Sequence, residues 1–276
     1  MDKKDYSEYI GQNKETWDEK AKVHYKSAFY NVQSFIDDTN MLSFVAEEHL
    51  EIGAVAEKSL LHLMCHIGMD TLSFARLGAK VTGVDFSSEA IVAANDLKSK
   101  TKLEANFIQS DIYKLQEQLD EKFDIVFTSV GVLCWLPDLE QWAKIVAHYL
   151  KPGGLFYIKD GYPLKNIFEY DELKGLFMEY PYFDEKKTYR WEDETSYTGD
   201  ALEKGKNISY EWNHNLSSIV NSLIKAGLTI ESLNEYNYLG YKHFPFMVQN
   251  NSKQWVFPGK YKKMFPLLFS IKARKK

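Results

Sequence analysis

Cysteine is nearly absent. Cys65 and Cys134 stand far apart and outside any C-x-x-C pattern, which excludes a disulfide framework and a thiolate zinc site and predicts two reduced, partly buried thiols. No apolar run approaches the ~20 residues needed to cross a bilayer, and Met1-Asp2-Lys3-Lys4-Asp5 is too charged to open a secretory signal. The reading is a cytoplasmic chain with no membrane partner. An excess of positive charge is also missing. The net charge is −5, with acids and bases interspersed, so nothing forms the field that grips a nucleic-acid backbone. The basic run from Lys272 to Lys276, broken by Ala273, reads as a solvated end. Internal repeats and low-complexity tracts are lacking too, so 276 residues are read as one decorated domain, 1–276.

What is abundant is aromatic side chains, at 15%. Tyr162 to Trp212 holds twelve of them and differs in kind from the rest.

Residues 13–36 read as one or two helices with Trp17, Val23, Tyr25, Phe29, Tyr30 and Phe35 to one side, and a second amphipathic helix follows at 41–50. These make a helical N-terminal cap, 1–50. From residue 58 to 160 strand and helix alternate as βαβ units do. Strands are expected at 59–64, 80–84, 105–109, 123–129 and 155–159, with helices at 70–77, 87–98 and 139–150 between them. Residues 161–212 interrupt this succession in the manner of a substrate lid. The core resumes over 213–276 with a helix at 213–226 and strands at 228–238 and 267–273. The fold class is therefore α/β, a doubly wound, mostly parallel sheet.

Ligands of open α/β sheets sit beyond the carboxyl ends of the strands, where strand order reverses. The turn after the first strand is Cys65-His66-Ile67-Gly68, opening a helix. Asp85 ends the second strand about 20 residues later, the spacing at which an acid accepts both hydroxyls of a ribose. Asp111 follows the third strand, where it could accept from the exocyclic amine of adenine. The G-x-G-x-x-G turn that cradles a pyrophosphate is absent, and only Gly68 remains of it. Two acids at successive strand ends without that turn favour S-adenosylmethionine over a dinucleotide.

The stretch from Leu60 to Ser87, L-L-H-L-M-C-H-I-G-M-D-T-L-S-F-A-R-L-G-A-K-V-T-G-V-D-F-S, resembles the first two motifs of class I, Rossmann-like, S-adenosylmethionine-dependent methyltransferases. Ser110-Asp111 resembles the third, and F-D-I-V-F-T-S-V-G-V-L-C-W-L-P-D followed by L-K-P-G-G resembles the fourth and fifth. The opening L-H-L-x-C-H-x-G is similar to that of a bacterial small-molecule subgroup. The resemblance implies a seven-stranded sheet with an antiparallel last strand at 267–273 and an insertion between strands five and six.

It also implies S-adenosylmethionine as cofactor, with S-adenosylhomocysteine as product, and a small-molecule acceptor. Cys65, His66 and Gly68 would line the methionine portion, Asp85 with Phe86 and Ser87 the ribose, and Asp111 with Ile112 the adenine. Val130 and Gly131 would lie beside the sulfonium, and Trp17 and Tyr30 of the cap would close over it. The family pattern has an acid where His62 stands and glycines where Met64 and His66 stand. The two histidines are either cofactor contacts or structural substitutes.

Methyl transfer needs alignment first and a general base only if the acceptor must lose a proton. The candidates for that base are His214, Tyr162 and Asp160. Trp135 is expected on the substrate face, and Tyr189, Trp191, Tyr197 and Trp212 are either a stacking surface for substrate or the lid's own core. No Asn/Asp-Pro-Pro-Tyr/Phe turn follows strand four, where Thr128-Ser129-Val130-Gly131 stands, which argues against adenine or glutamine side chains as acceptors. Clustered carboxylates for a divalent metal are missing there too, so no metal is expected. The other readings are a binding or regulatory protein that keeps the fold without catalysis and, less favoured, a nicotinamide-dependent oxidoreductase.

Overall fold

The computed structural model describes residues 5–43, 47–183, 187–203 and 207–276. Its centre is β1 (Ser59–Leu63), buried over its last four residues because helices cover both faces of the sheet. β2 (Lys80–Asp85), β3 (Ala105–Gln109), β4 (Phe123–Thr128) and β5 (Leu150–Gly161) follow, then β6 (Leu228–Tyr236) and β7 (Leu268–Lys275). They form one seven-stranded sheet in the order β6-β7-β5-β4-β1-β2-β3, with β7 antiparallel to both neighbours. This is the doubly wound layout expected, with its antiparallel last strand and an insertion between β5 and β6.

Alternation along the strands sorts side chains to two faces. Leu61, Leu63, Val126, Phe156 and Ile158 meet Trp142 and Val146 of one helix and Ile219 and Leu223 of another. Leu60, Ile125, Phe127, Leu155 and Tyr157 meet Phe74 on the other side.

Seven α-helices accompany the sheet among the described residues: α1 (Ser7–Lys26), α2 (Val32–Asp37), α3 (Glu48–Ile52), α4 (Met69–Arg76), α5 (Ser88–Thr101), α6 (Leu139–Tyr149) and α7 (Leu216–Lys225). Side-chain caps set three of their starts. Ser87, Asp138 and Asn215 accept from the backbone N–H of Ala90, Gln141 and Ser218. The helix expected at 41–50 is cut back to the short α3, and residues 44–46 of that reading lie outside the described residues.

α1 is held from two sides. Asp18 accepts from Ser87 Oγ at 2.7 Å and from Glu89 N at 3.2 Å, at the start of α5. Asn13 and Thr16 bind the backbone of the strand Asn207–Trp212, with Asn13 both donating to Tyr210 O and accepting from Tyr210 N at 2.7 Å.

The segment between β5 and β6 carries two antiparallel hairpins, Phe168–Asp171 with Gly175–Met178 and Thr188–Asp193 with Asn207–Trp212. A further excursion lies between β6 and β7. Three two-residue strands, Tyr238–Leu239, Val248–Gln249 and Trp255–Val256, pack Leu239, Phe244, Phe257 and Phe265 against the first hairpin, where Phe168 stacks on Phe265 at 4.8 Å. Strands this short leave no alternation to read, and their order comes from contacts distant in sequence.

Candidate active site

The turn after β1 bends through three left-handed residues, Met64 (φ 60°), His66 (φ 50°) and Gly68 (φ 77°). Non-glycine residues there cost about 1–2 kcal/mol each, so the turn is held in place by its surroundings. Asp85 supplies part of that hold. Its carboxylate accepts from His66 N at 2.8 Å and from Ser87 N at 2.9 Å, and burial pushes its pKa up to about 6. Gly68 also has a packing duty. A Cβ there would come 2.8 Å from Ala94 Cβ and Phe107 Cζ, so its bareness serves the packing of α5 and β3.

Asp111 accepts from Tyr113 N at 3.0 Å and starts a 3-10 turn at Ile112. A small pocket there is lined mostly by apolar side chains, among them Met64, Phe86, Ile112, Trp135 and Leu136, with Asp111, Asn13, Ser110 and Tyr113 as its polar members. It adjoins a cleft of about 1250 Å³ bounded by α1, the turn after β3, α6 and α7, with His214 on its wall.

Next to this pocket the cap, the β1 turn and the second hairpin's loop meet. Trp17 lies 5.3 Å, ring to ring, from both His66 and Trp135. His24 Nδ1 is 2.8 Å from His66 Nε2, and His24 Nε2 bonds Ser196 Oγ. The hydroxyls of Tyr30 and Tyr197 bond each other. Burial lowers the pKa of His24 to about 2 and of His66 to about 3, so both rings are neutral. Four residues expected at the site, Trp17, Tyr30, Trp135 and Tyr197, thus belong to one cluster around His66.

His62 is fully buried, with Nδ1 2.8 Å from Thr71 Oγ1 and Nε2 3.0 Å from Ser129 Oγ. Burial lowers its pKa to about 3. Both ring nitrogens are engaged, and the ring ties β1 to α4 and to the end of β4.

The three expected base candidates each make a structural contact. Asp160 accepts from the backbone N–H groups of Gly131, Val132, Leu133 and Gly161 at 2.5 to 3.2 Å and so shapes the loop after β4. That loop leaves Val130 and Gly131 exposed. His214 Nε2 donates to Leu136 O at 2.7 Å. Tyr162 packs on Phe269, and burial raises its pKa to about 12. Three of the expected substrate rings pack locally. Tyr189 stacks on Trp191 with Tyr180 edge-on to both, and Trp212 is buried against Tyr6 and Tyr9. Cys65 is buried and Cys134 partly so.

Side chains that the sequence reading passed over gather around Cys134. Lys20 of α1, Lys165 after β5 and Glu211 of the second hairpin each act on it electrostatically, and both lysines act on Glu211. Burial pushes the Glu211 pKa up to about 7 against the pull of both lysines. One signal was available. Asn13, Thr16, Lys20 and His24 recur at helical spacing and mark a polar inward face of α1. Among the described residues, no three His, Cys, Asp or Glu side chains group as a metal site requires, and no helix is long and apolar enough to cross a membrane.

Residues 61–156 match the family described as a methyltransferase domain. Ubiquinone biosynthesis O-methyltransferases of Serratia proteamaculans and Yersinia pestis are 29% and 30% identical over 102 residues, 37% of this chain. The chain spans 42% of the length of those relatives. S-adenosylmethionine-dependent methyltransferase structures from Clostridium acetobutylicum and Mesorhizobium loti are similar, with TM-scores of 0.57 and 0.56 at 16% identity. They cover 94% and 81% of this chain and 99% and 93% of their own. The complex of DhpI with SAH has a TM-score of 0.57 at 17% identity and covers 97% of both chains. These similarities show a shared fold.

Proposed function

We propose that this chain is an S-adenosylmethionine-dependent methyltransferase acting on a small molecule. The observation that carries the reading is the pair Asp85 at the end of β2 and Asp111 just after β3, the second of them in a pocket lined mostly by apolar side chains. The match of residues 61–156 to a methyltransferase domain supports it.

The residues present fit such a cofactor. Asp85 would hold the ribose hydroxyls, with Phe86 and Ser87 beside it, and Asp111 with Ile112 the adenine. Cys65 and His66 would border the methionine portion, Val130 and Gly131 the sulfonium, and Trp17 and Tyr30 would exclude water from above. When bound, the cofactor supplies a methyl group that its sulfonium already activates. The protein's share is alignment of the acceptor and removal of its proton.

For that proton we assign Glu211 in place of Asp160, Tyr162 and His214. Its pKa near 7 suits a base at neutral pH, whereas Asp160 is fully engaged with backbone donors. The names of the curated relatives favour a hydroxyl as the nucleophile.

Calorimetry of the full chain with S-adenosylmethionine and S-adenosylhomocysteine tests the reading. Micromolar binding of both is expected, and binding of neither would overturn it.

A further inference from the structure

The small pocket at Asp111 and the cleft beside it are continuous. Ile10, Phe86, Ser110, Asp111 and Tyr113 line both spaces. Asp111, which would accept from the exocyclic amine of adenine, therefore stands at the passage from one to the other. That amine carries two hydrogens, and Asp111 needs only one of them. The cleft is also larger than the edge of a purine requires. At about 1250 Å³ it exceeds the ~300–1,000 Å³ of a whole small-molecule site. Its wall is fixed in place at Tyr113, whose hydroxyl donates to Asp138 O at 3.0 Å and accepts from Asp138 N at 3.1 Å, while the Asp138 carboxylate caps α6.

A second observation comes from Gly11, which lines the cleft from inside α1. Glycine is the poorest residue of a helix interior after proline, and the backbone does not call for one here. Its φ is not positive, and among the described residues a Cβ would meet no atom within 4 Å beyond its own stretch of helix. At Gly68 and Gly83 a Cβ would collide with Phe107. At Gly11 the space a side chain would take is open and borders the cleft.

The walls define the group that fits. Five acids and three lysines line the cleft, and two of those lysines are paired, Lys14 with Asp18 at 2.6 Å and Lys225 with Glu140 at 2.7 Å. A phosphate or carboxylate would find no surplus of positive charge there. Tyr6, Ile10, Phe86, Tyr113, Leu139 and Ile224 supply apolar surface, which suits an uncharged ring.

We propose that the cleft is a second subsite, continuous with the adenine pocket, for an uncharged hydrocarbon group carried on the exocyclic nitrogen of an adenosyl ligand, and that Gly11 keeps it open. The placing of adenine at Asp111 rests on the methyltransferase reading.

The test is calorimetric titration of the full chain with S-adenosylhomocysteine and with its analogue bearing a benzyl group on the exocyclic nitrogen, read as the ratio of the two dissociation constants. Wild type is expected to bind the benzyl analogue no more than fivefold more weakly than the parent. Gly11→Phe should raise that ratio at least tenfold by filling the cleft. A wild-type ratio above five, or a smaller rise in Gly11→Phe, would overturn the proposal. If Gly11→Phe fails to fold, Asn221→Trp on the α7 wall of the cleft decides by the same ratio. Binding of neither compound by wild type would sink the methyltransferase reading and the subsite with it, whereas binding of the parent alone would sink only the subsite.

Discussion

His24 Nδ1 lies 2.8 Å from His66 Nε2, a polar contact that joins the N-terminal helix to the turn after β1. The far nitrogen of His24 bonds Ser196 in the second hairpin's loop. Three segments distant in sequence therefore share one imidazole. Replacing His24 by Phe keeps the ring but leaves His66 Nε2 and Ser196 Oγ buried without that partner, at a cost of about 1–3 kcal/mol. Urea denaturation should show this as a lower midpoint with an unchanged slope. An unchanged midpoint would mean that the contact contributes nothing.

A second prediction concerns pH. Burial holds His24, His62, His66 and His243 neutral, with folded pKa values below the ordinary 6.5. Their contribution to stability is complete above pH 6.5 and is lost as pH falls toward the folded values, at up to about 1.4 kcal/mol per pH unit for each ring. Asp85, Glu48 and Glu211 have raised values and act in the opposite sense. The net profile is therefore flattened, and a difference measurement isolates one group. The stability advantage of wild type over His62→Gln should shrink steadily from pH 6.5 to 4.5. A constant difference would show that His62 titrates normally.

Cofactor affinity should separate the two strand-end acids. Asp85→Asn is expected to weaken S-adenosylhomocysteine binding more than tenfold, since a carboxylate makes two charge-assisted hydrogen bonds to a ribose diol and also holds His66 N and Ser87 N. Asp111→Ala should cost only a few-fold. Wild-type affinity in the Asp85 variant, read by calorimetry, would place the ribose elsewhere.

With Glu211 as proton acceptor, the rate of methyl transfer should rise with pH and level off above about 7, as the carboxyl ionises. Glu211→Gln should lower kcat by about 10²- to 10⁴-fold and remove that inflection. A variant that keeps the inflection would assign the proton to another group.

The central strands were legible because they are short apolar runs punctuated by turn residues. β3 was read to the residue, and β1, β2 and β4 to within one. Asp85 and Asp111 could be found for the same reason, since a strand end fixes where its last side chain lies. Lys20 and Lys165 could not be linked to Glu211 in this way, because their nearness to it depends on how α1 and the segment after β5 fold onto the sheet. Tyr241 and His243 sit in an excursion between β6 and β7 whose strands are two residues long, below the length at which a period exists. His62 stood in the motif as an oddity. Only its two hydroxyl partners, Thr71 and Ser129, identify it as a tie between β1, α4 and β4.

Asn13 and Thr16 occupy backbone groups of residues 208 and 210 on the outer side of the second hairpin. That side is a sheet edge, and an open edge is a template on which another chain can add a strand. The helix therefore acts as a cover as well as a wall. Shortening the chain past Thr16 would bare the carbonyl of Ile208 and both backbone groups of Tyr210, and self-association through that strand would be the cost of losing a helix that lies outside the sheet altogether.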